Sequence, residues 1–211
     1  MKKAIVKTKV ADRTILDERM RELGLEFGPV IWQHDRVYLP RGYRPNMNMP
    51  RMIMRTEMKS VDEPAKYYLT LKRHISDSGI DIVDQTRVSD YVEAVNMIHQ
   101  LGFGSAIEVS RRRQAMEIGE SAVMYLDEIE KVPGFYLKIE TKIEDNDKVT
   151  EVMDDLKRTL RLFGQDEKSV VQDTYSDLVW QSGTFLITKK SPNEKNRVYH
   201  KNQAHVLIFM I

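Results

Sequence analysis

Apolar and polar residues alternate along eight short segments of the chain, which is the period-two pattern of β-strands that bury one face. The predicted strands span residues 3–10, 30–39, 51–58, 65–74, 79–88, 106–117, 121–130 and 135–143. Most of the connections between them are short, and short connections join antiparallel neighbours. The pattern therefore predicts an α+β fold built on a mostly antiparallel, barrel-like sheet.

Three other segments repeat their apolar residues at helical spacing, at residues 10–27, 88–105 and 146–164. The first two, VADRTILDERMRELGLEF and VSDYVEAVNMIHQLGFGS, share one frame: a strand ends near Val, an Asp follows, and the helix closes on Leu-Gly. Gly24 and Gly102 stand where a helix C-cap is expected. The shared frame predicts two pseudo-equivalent β-α-β halves.

Cationic side chains recur in phase along the predicted strands, with few acids to balance them. The residues that share a face within one strand are Lys3, Ile5 and Lys7; Arg51, Ile53, Arg55 and Glu57; Tyr68, Thr70, Lys72 and His74; Arg111 and Arg113; and Lys138 and Glu140. One interpretation is an outer face in contact with water. The other is a barrel with this face inward, whose cations require an anionic guest such as a polyphosphate.

Composition restricts the kind of site. The 33 Lys+Arg and 32 Asp+Glu leave a net charge of +1, so the chain as a whole does not predict nucleic acid as a partner. The absence of cysteine excludes disulfides, thiolate zinc sites and cysteine nucleophiles, and the five histidines show no zinc-ligand spacing. No signal peptide or apolar run of membrane-helix length is present, so a cytoplasmic protein with no membrane partner is expected.

The succession of motifs resembles the triphosphate tunnel, or CYTH, superfamily, which includes class IV adenylate cyclases and thiamine triphosphatases. The motifs that carry the resemblance are, in order, KAIVKTKVAD, a helix ending in ELG, QHDRVYL, RMIMRTE, YLTLKR, a helix ending in QLGF, VSRRRQ, YLDEIEKVPGFYLKIE and DTYSDLVW. The resemblance covers roughly residues 3–180. It implies an eight-stranded antiparallel β-barrel with flanking helices, whose polar interior holds a triphosphate.

The resemblance also implies site residues. The positions that match the phosphate-binding cations are Arg55, Lys72, Arg111 and Arg113, with Lys7 and Lys138 as further candidates. The positions that match the metal ligands are Asp127 and Glu140, which would hold Mg²⁺ or Mn²⁺.

The metal-binding signature departs from that of the family. The first strand normally carries Glu-x-Glu-x-Lys, and here these positions are Lys3, Ile5 and Lys7. The late strand normally ends in Glu-x-Glu, and here it reads Lys138-Ile139-Glu140. Lys138 is interpreted as supplying part of the charge of the metal, or else as an ordinary lysine that faces water.

Three functions follow from this sequence. The leading hypothesis is a tunnel domain at 1–180 that binds a triphosphate or nucleotide and has metal-dependent phosphohydrolase or adenylate-cyclase-like activity. The alternative is a catalytically impaired tunnel that binds nucleotide or polyphosphate as a sensor or a sequestering protein. The third is a scaffold that pairs through the C-terminal extension, 181–211, which is expected to form a β-hairpin; a homodimer is left open.

Overall fold

Eight antiparallel strands close into a barrel in a computed structural model, which describes residues 1–43, 49–75, 79–144 and 148–183. The strands are β1 (Lys2–Lys9), β2 (Ile31–Pro40), β3 (Arg51–Met58), β4 (Lys66–Ile75), β5 (Ile80–Val88), β6 (Phe103–Ile118), β7 (Ala122–Ile129) and β8 (Phe135–Ile143). Their order around the barrel is β1-β5-β4-β3-β2-β6-β7-β8. The predicted barrel and its antiparallel pairing are confirmed.

The strand order is symmetric under exchange of the two halves of the chain. If β1 to β4 are exchanged with β5 to β8, every neighbour in the barrel remains a neighbour. The helices that follow β1 and β5 also begin alike, since Asp12 accepts a hydrogen bond from the Thr14 N–H and Asp90 accepts one from the Glu93 N–H. This agrees with the two halves predicted from the sequence.

Within the described residues, four α-helices and one 3₁₀ turn accompany the barrel. They are α1 (Arg13–Glu22), α2 (Tyr91–Gln100), α3 (Val149–Leu162), the 3₁₀ turn Glu167–Ser169 and α4 (Tyr175–Gln181). The first three were expected, whereas the 3₁₀ turn and α4 were not. No helix within the described ranges is long and apolar enough to cross a membrane.

The apolar core lies mostly outside the barrel, between its wall and the helices. One cluster joins β1, β7 and β8 to α1 and α3 through Ala4, Val6, Leu16, Met20, Met124, Leu126, Leu137, Ile139, Leu156 and Leu160. A second cluster joins α2 to β2 and β3 through Tyr38, Met54, Ala94 and Ile98. Burial of each large aliphatic side chain contributes about 1.5–3 kcal/mol, so the outer faces stabilise the fold and leave the inner faces free for polar residues.

Helix α4 packs against the barrel interior at the end where β3 begins. Its Val179 lies in a buried cluster with the inward-facing Val37, Ile53 and Val109. A capping box starts the helix, because Thr174 accepts from the Asp177 N–H while the Asp177 carboxylate accepts from the Thr174 N–H. The predicted domain boundary at residue 180 falls inside α4. The predicted hairpin of the extension lies, from residue 184 onward, outside the described residues and stays a prediction.

Candidate functional site

The inward faces of the strands enclose a polar cavity of about 420 Å³. Among the described residues, eight lysine and arginine side chains line it, against four carboxylates. The cations are Lys3, Lys7, Arg51, Arg55, Lys72, Arg111, Arg113 and Lys138. Every predicted phosphate-binding residue is therefore in one cavity. Of the two interpretations of the charged face, the inward one is correct.

Asp35 joins two of the predicted phosphate-binding arginines. It lies directly opposite Arg55 in the β2–β3 register and accepts two hydrogen bonds from its guanidinium, at 2.7 and 2.9 Å. Arg111 Nη2 donates to the same carboxylate at 2.9 Å and to Gln33 Oε1 at 2.8 Å. Although burial alone would raise the pKa of Asp35, the charges of the two arginines hold it far below its usual range. This network fixes both guanidinium planes in the wall.

Arg113 forms a similar pair with Asp127, its direct cross-strand partner on β7. The two guanidinium–carboxylate distances are 2.6 and 2.7 Å, and the Tyr175 hydroxyl donates to Asp127 Oδ2 at 2.6 Å. Asp127 is fully buried, which alone would raise its pKa, but the charge of Arg113 lowers the pKa to about 2. Both oxygens of this candidate metal ligand thus already accept hydrogen bonds.

Glu140, the other candidate metal ligand, lies between two lysines. Lys3 Nζ is 2.5 Å from Oε1, and Lys138 Nζ is 2.5 Å from Oε2. Burial opposes ionisation, but the charges of Lys138 and Lys3 hold the pKa of Glu140 well below its usual value. Lys138 therefore faces the tunnel and not bulk water. Burial, as the larger effect, lowers the pKa of Lys138 to about 8 despite the attraction of Glu140.

Lys7 is a tunnel cation whose charge is poorly compensated by the described residues. Its Nζ donates to the Asp173 carbonyl oxygen and lies 4.7 Å from the centre of the Tyr175 ring, and its residue is 7% exposed. It is directly opposite Lys138 in the β1–β8 register, where like charges repel. Burial, and then the charges of Lys72 and Lys138, lower its pKa to about 7.

The last of the predicted cations, Lys72, binds a carboxylate that it shares with a histidine. Lys72 Nζ is 2.5 Å from Asp81 Oδ2, and His74 Nδ1 is 2.7 Å from Asp81 Oδ1. Burial would raise the pKa of Asp81, but the charge of Lys72 and the hydrogen bond from His74 lower it to about 2. Asp81 is 2% exposed, so this cluster is part of the tunnel wall.

Arg51 connects the tunnel to α4. Its guanidinium donates to Thr174 Oγ1 and Ser176 Oγ, both at 2.6 Å, and to Asp177 Oδ1 at 2.9 Å. The residue is buried. The start of α4 therefore binds directly to a cation of the cavity.

The sequence profile of the CYTH domain family matches residues 2–175. The chain belongs to the CYTH domain family. No curated protein of similar sequence was found. The family match covers all eight strands, so the cavity described above is the tunnel of a CYTH domain.

Solved structures with the same fold are distant in sequence. A protein of Pyrococcus horikoshii OT3 is 19% identical with a TM-score of 0.73, and the alignment covers 85% of this chain and 98% of that one. A candidate adenylate cyclase of Vibrio parahaemolyticus is 12% identical with a TM-score of 0.70, covering 84% and 97%. A candidate adenylyl cyclase of Hippeastrum, described as having a dominant triphosphatase activity, is 14% identical with a TM-score of 0.54, covering 89% and 98%. At these low sequence identities, the structural similarity shows that the fold is shared and nothing more.

The side chains of this CYTH tunnel fit a divalent metal poorly. A hard cation takes several oxygen ligands, commonly from carboxylates. Asp127 Oδ1 accepts from Arg113, Asp127 Oδ2 accepts from Arg113 and Tyr175, and both oxygens of Glu140 accept from lysines. Within the described ranges, no group of three or more histidines, cysteines, aspartates or glutamates is arranged to hold a metal. The assignment of Mg²⁺ or Mn²⁺ to Asp127 and Glu140 stays a prediction without geometric support.

Sequence reasoning missed most of the anionic partners. The expectation of few balancing acids was wrong, because Asp35 and Asp81 face inward and Asp177 reaches Arg51. Asp35 and Asp81 were detectable, since both lie in phase with tunnel-lining positions of their own strands. Asp177 was not, because α4 had not been predicted.

Proposed function

We propose that the tunnel binds a triphosphate-bearing anion directly, with lysines acting where CYTH proteins of the usual pattern use a carboxylate-bound metal. The observation that carries this proposal is the placement of Glu140 between Lys3 and Lys138. Both lysines stand where the family pattern has glutamates. Two ammonium groups in place of two carboxylates change the local charge from −2 to +2, so the anion no longer needs a metal to offset repulsion.

The charge balance of the tunnel supports an anionic ligand. Eight Lys and Arg side chains line the cavity with four carboxylates, and Asp127 and Asp177 bind its arginines from behind. Among the described residues, the cationic side chains therefore outnumber these carboxylates by two, in an interior where unpaired charge is costly. A polyphosphate offsets this excess and offers oxygen acceptors to several cations at once.

The volume and preorganisation of the cavity also support the proposal. About 420 Å³ is within the usual range of roughly 300–1,000 Å³ for small-molecule sites. Arg55, Arg111 and Arg113 are fixed by carboxylates and by Gln33, so they lose little conformational entropy when they bind a ligand. A rigid set of guanidinium groups favours a ligand with several phosphates over a single one.

A metal-dependent phosphohydrolase or cyclase is the second candidate. The observation in its favour is that Asp127 and Glu140 are retained at the family positions. For them to bind a metal, Arg113 and the two lysines would have to release their carboxylates. The two candidates therefore differ in the effect of metal on binding.

Isothermal titration with tripolyphosphate, ATP and thiamine triphosphate tests the proposal, each in EDTA and in Mg²⁺ or Mn²⁺. We expect micromolar or tighter binding in EDTA, weakened by Mg²⁺ because the metal neutralises the free ligand. Binding only in the presence of metal, with orthophosphate or a cyclic nucleotide as product, would establish the second candidate instead.

The three consecutive arginines provide a matched control. Arg111 and Arg113 face the tunnel, whereas Arg112 faces outward, where it pairs with Glu128 and lies over Trp32. Arg111→Ala combined with Arg113→Ala should abolish binding, and Arg112→Ala should leave the affinity unchanged. Equal affinities in all three proteins would show that the ligand binds elsewhere.

A further inference from the structure

His74 has one ring nitrogen that the described residues do not satisfy. Its side chain lines the tunnel and is 9% exposed. Nδ1 lies 2.7 Å from Asp81 Oδ1, but the buried Nε2 has no hydrogen-bond partner in the described part of the chain. A buried polar atom without a partner costs about 1–3 kcal/mol, which indicates that a ligand or water atom belongs beside it.

Asp81 determines which nitrogen carries the proton. A carboxylate can only accept, so in the neutral imidazole Nδ1 is protonated and Nε2 holds the lone pair. The low pKa of Asp81, about 2, keeps it ionised throughout the neutral range. This is the arrangement by which a carboxylate orients a histidine as a general base, independently of the fold that carries it.

The same carboxylate also binds Lys72, which is a predicted phosphate ligand. The two oxygens of the Asp81 carboxylate therefore bind both the proton-accepting histidine, His74, and the phosphate-binding cation, Lys72. The other charged groups near this pair are Lys3, directly opposite Asp81 in the β1–β5 register, and Lys7, whose charge acts on Asp81. Both are cations and favour the approach of a phosphate to this part of the tunnel.

We infer that His74, oriented by Asp81, is the general base of a metal-independent hydrolysis of the terminal phosphate of the bound chain. This inference rests on the proposed function. Water oxygen forms a bond to the terminal phosphorus and gives its proton to His74 Nε2. The bridging P–O bond breaks, its electron pair leaves with the remainder of the chain, and the lysines and arginines stabilise that charge. The proton passes from Nε2 to solvent as orthophosphate departs. With tripolyphosphate, the products are orthophosphate and diphosphate.

The experiment measures the release of orthophosphate from tripolyphosphate in EDTA, together with affinity by calorimetry. Wild-type protein should release orthophosphate without a metal, because His74 accepts the proton of the attacking water. His74→Asn retains a donor near the Nδ1 position but has no Nε2. It should lower kcat by about 100-fold or more while the Kd changes less than about threefold.

Two further variants separate proton transfer from other roles. His74→Gln places an amide near the Nε2 position, so recovery of wild-type turnover there would show a hydrogen-bond donor and overturn the general base. Asp81→Asn, a change in a positioning residue, should lower kcat, and Kd is measured alongside because Asp81 also pairs with Lys72. His34→Gln is the control, because His34 bonds Ser110 away from the tunnel lining.

The outcomes distinguish this inference from the proposed function. Tight binding of tripolyphosphate without orthophosphate release overturns the general base and leaves the binding function in place. Equal turnover of wild type and His74→Asn also overturns it. Failure of tripolyphosphate to bind contradicts the proposed function, and the inference falls with it.

Discussion

Replacing Lys7 by methionine should stabilise the protein near neutral pH and lower its affinity for a polyphosphate anion. Lys7 is buried, faces Lys138 across the β1–β8 pair, and donates to a carbonyl oxygen and not to a carboxylate of the described residues. Its pKa falls from 10.5 to about 7, chiefly through burial. The charged form of Lys7 therefore destabilises the folded protein without a ligand, and a bound polyphosphate would offset this destabilisation.

The size of the effect follows from the two pKa values. The difference between 10.5 and about 7 corresponds to roughly 5 kcal/mol of destabilisation at pH 6, where Lys7 is charged in both states. The substitution also removes the hydrogen bond of Lys7 to the Asp173 carbonyl oxygen and its contact with the Tyr175 ring. Together these two interactions contribute about 2 kcal/mol to stability. The net gain is about 3 kcal/mol, or a rise in Tm of about 6–12 °C for a chain of this size.

The pH dependence has a definite sign. Between about pH 7 and 10.5 the unfolded chain holds a proton on Lys7 that the folded chain has released, so wild-type stability rises with pH. At pH 9 the destabilisation of the fold by Lys7 falls to about 2 kcal/mol. The difference in free energy of unfolding between Lys7→Met and wild type should therefore nearly vanish at that pH.

Urea denaturation at pH 6 and pH 9 measures the difference, with Lys9→Met as the control, because Lys9 lies on the same strand but is exposed. Calorimetry at pH 7 should show that Lys7→Met binds tripolyphosphate about 10- to 100-fold more weakly. A variant that is less stable than wild type at pH 6, or a stability difference that does not change with pH, would refute this reasoning.

Three further predictions concern stability and the tunnel wall. Arg113→Ala leaves the buried Asp127 carboxylate without its main partner. It should lower the free energy of unfolding by about 3–5 kcal/mol, measured by denaturation, and by less near pH 3, where the unpaired carboxylate takes a proton. Asp127 and Asp81 each have a pKa of about 2 in the folded protein, so their ionised forms stabilise the fold at pH values above their unfolded pKa of about 4. This stability should be lost as the pH falls from about 4 to 2, in an acid titration followed by circular dichroism. Asp12→Ala removes the cap of α1 and should lower the free energy of unfolding by about 1 kcal/mol, without any change in tripolyphosphate affinity.

The sequence predicted the barrel well because alternation specifies which side chains share a face. Each predicted strand overlaps an observed one, and the in-phase cations all line one cavity. Helix α4 escaped detection because seven residues are too short for a helical period to be recognised. Its one local signal was the capping box formed by Thr174 and Asp177.

Alternation could not predict which charges pair, since pairing depends on strand register. Arg55 with Asp35, Arg113 with Asp127, and His74 with Asp81 are each directly opposite on neighbouring strands, and one step of register would separate them. The sequence therefore identified the cations of the tunnel but assigned Asp127 and Glu140 to a metal, whereas in the structure these carboxylates bind cationic side chains.

A crystal structure with tripolyphosphate, grown once in EDTA and once in Mn²⁺, tests the central claim most directly. We predict phosphate density in contact with Lys7, Lys138 and Arg113 in both crystals. In the Mn²⁺ crystal, no anomalous peak should lie between Asp127 and Glu140. A manganese peak bound to these two carboxylates, with tripolyphosphate absent from the EDTA crystal, would contradict the account.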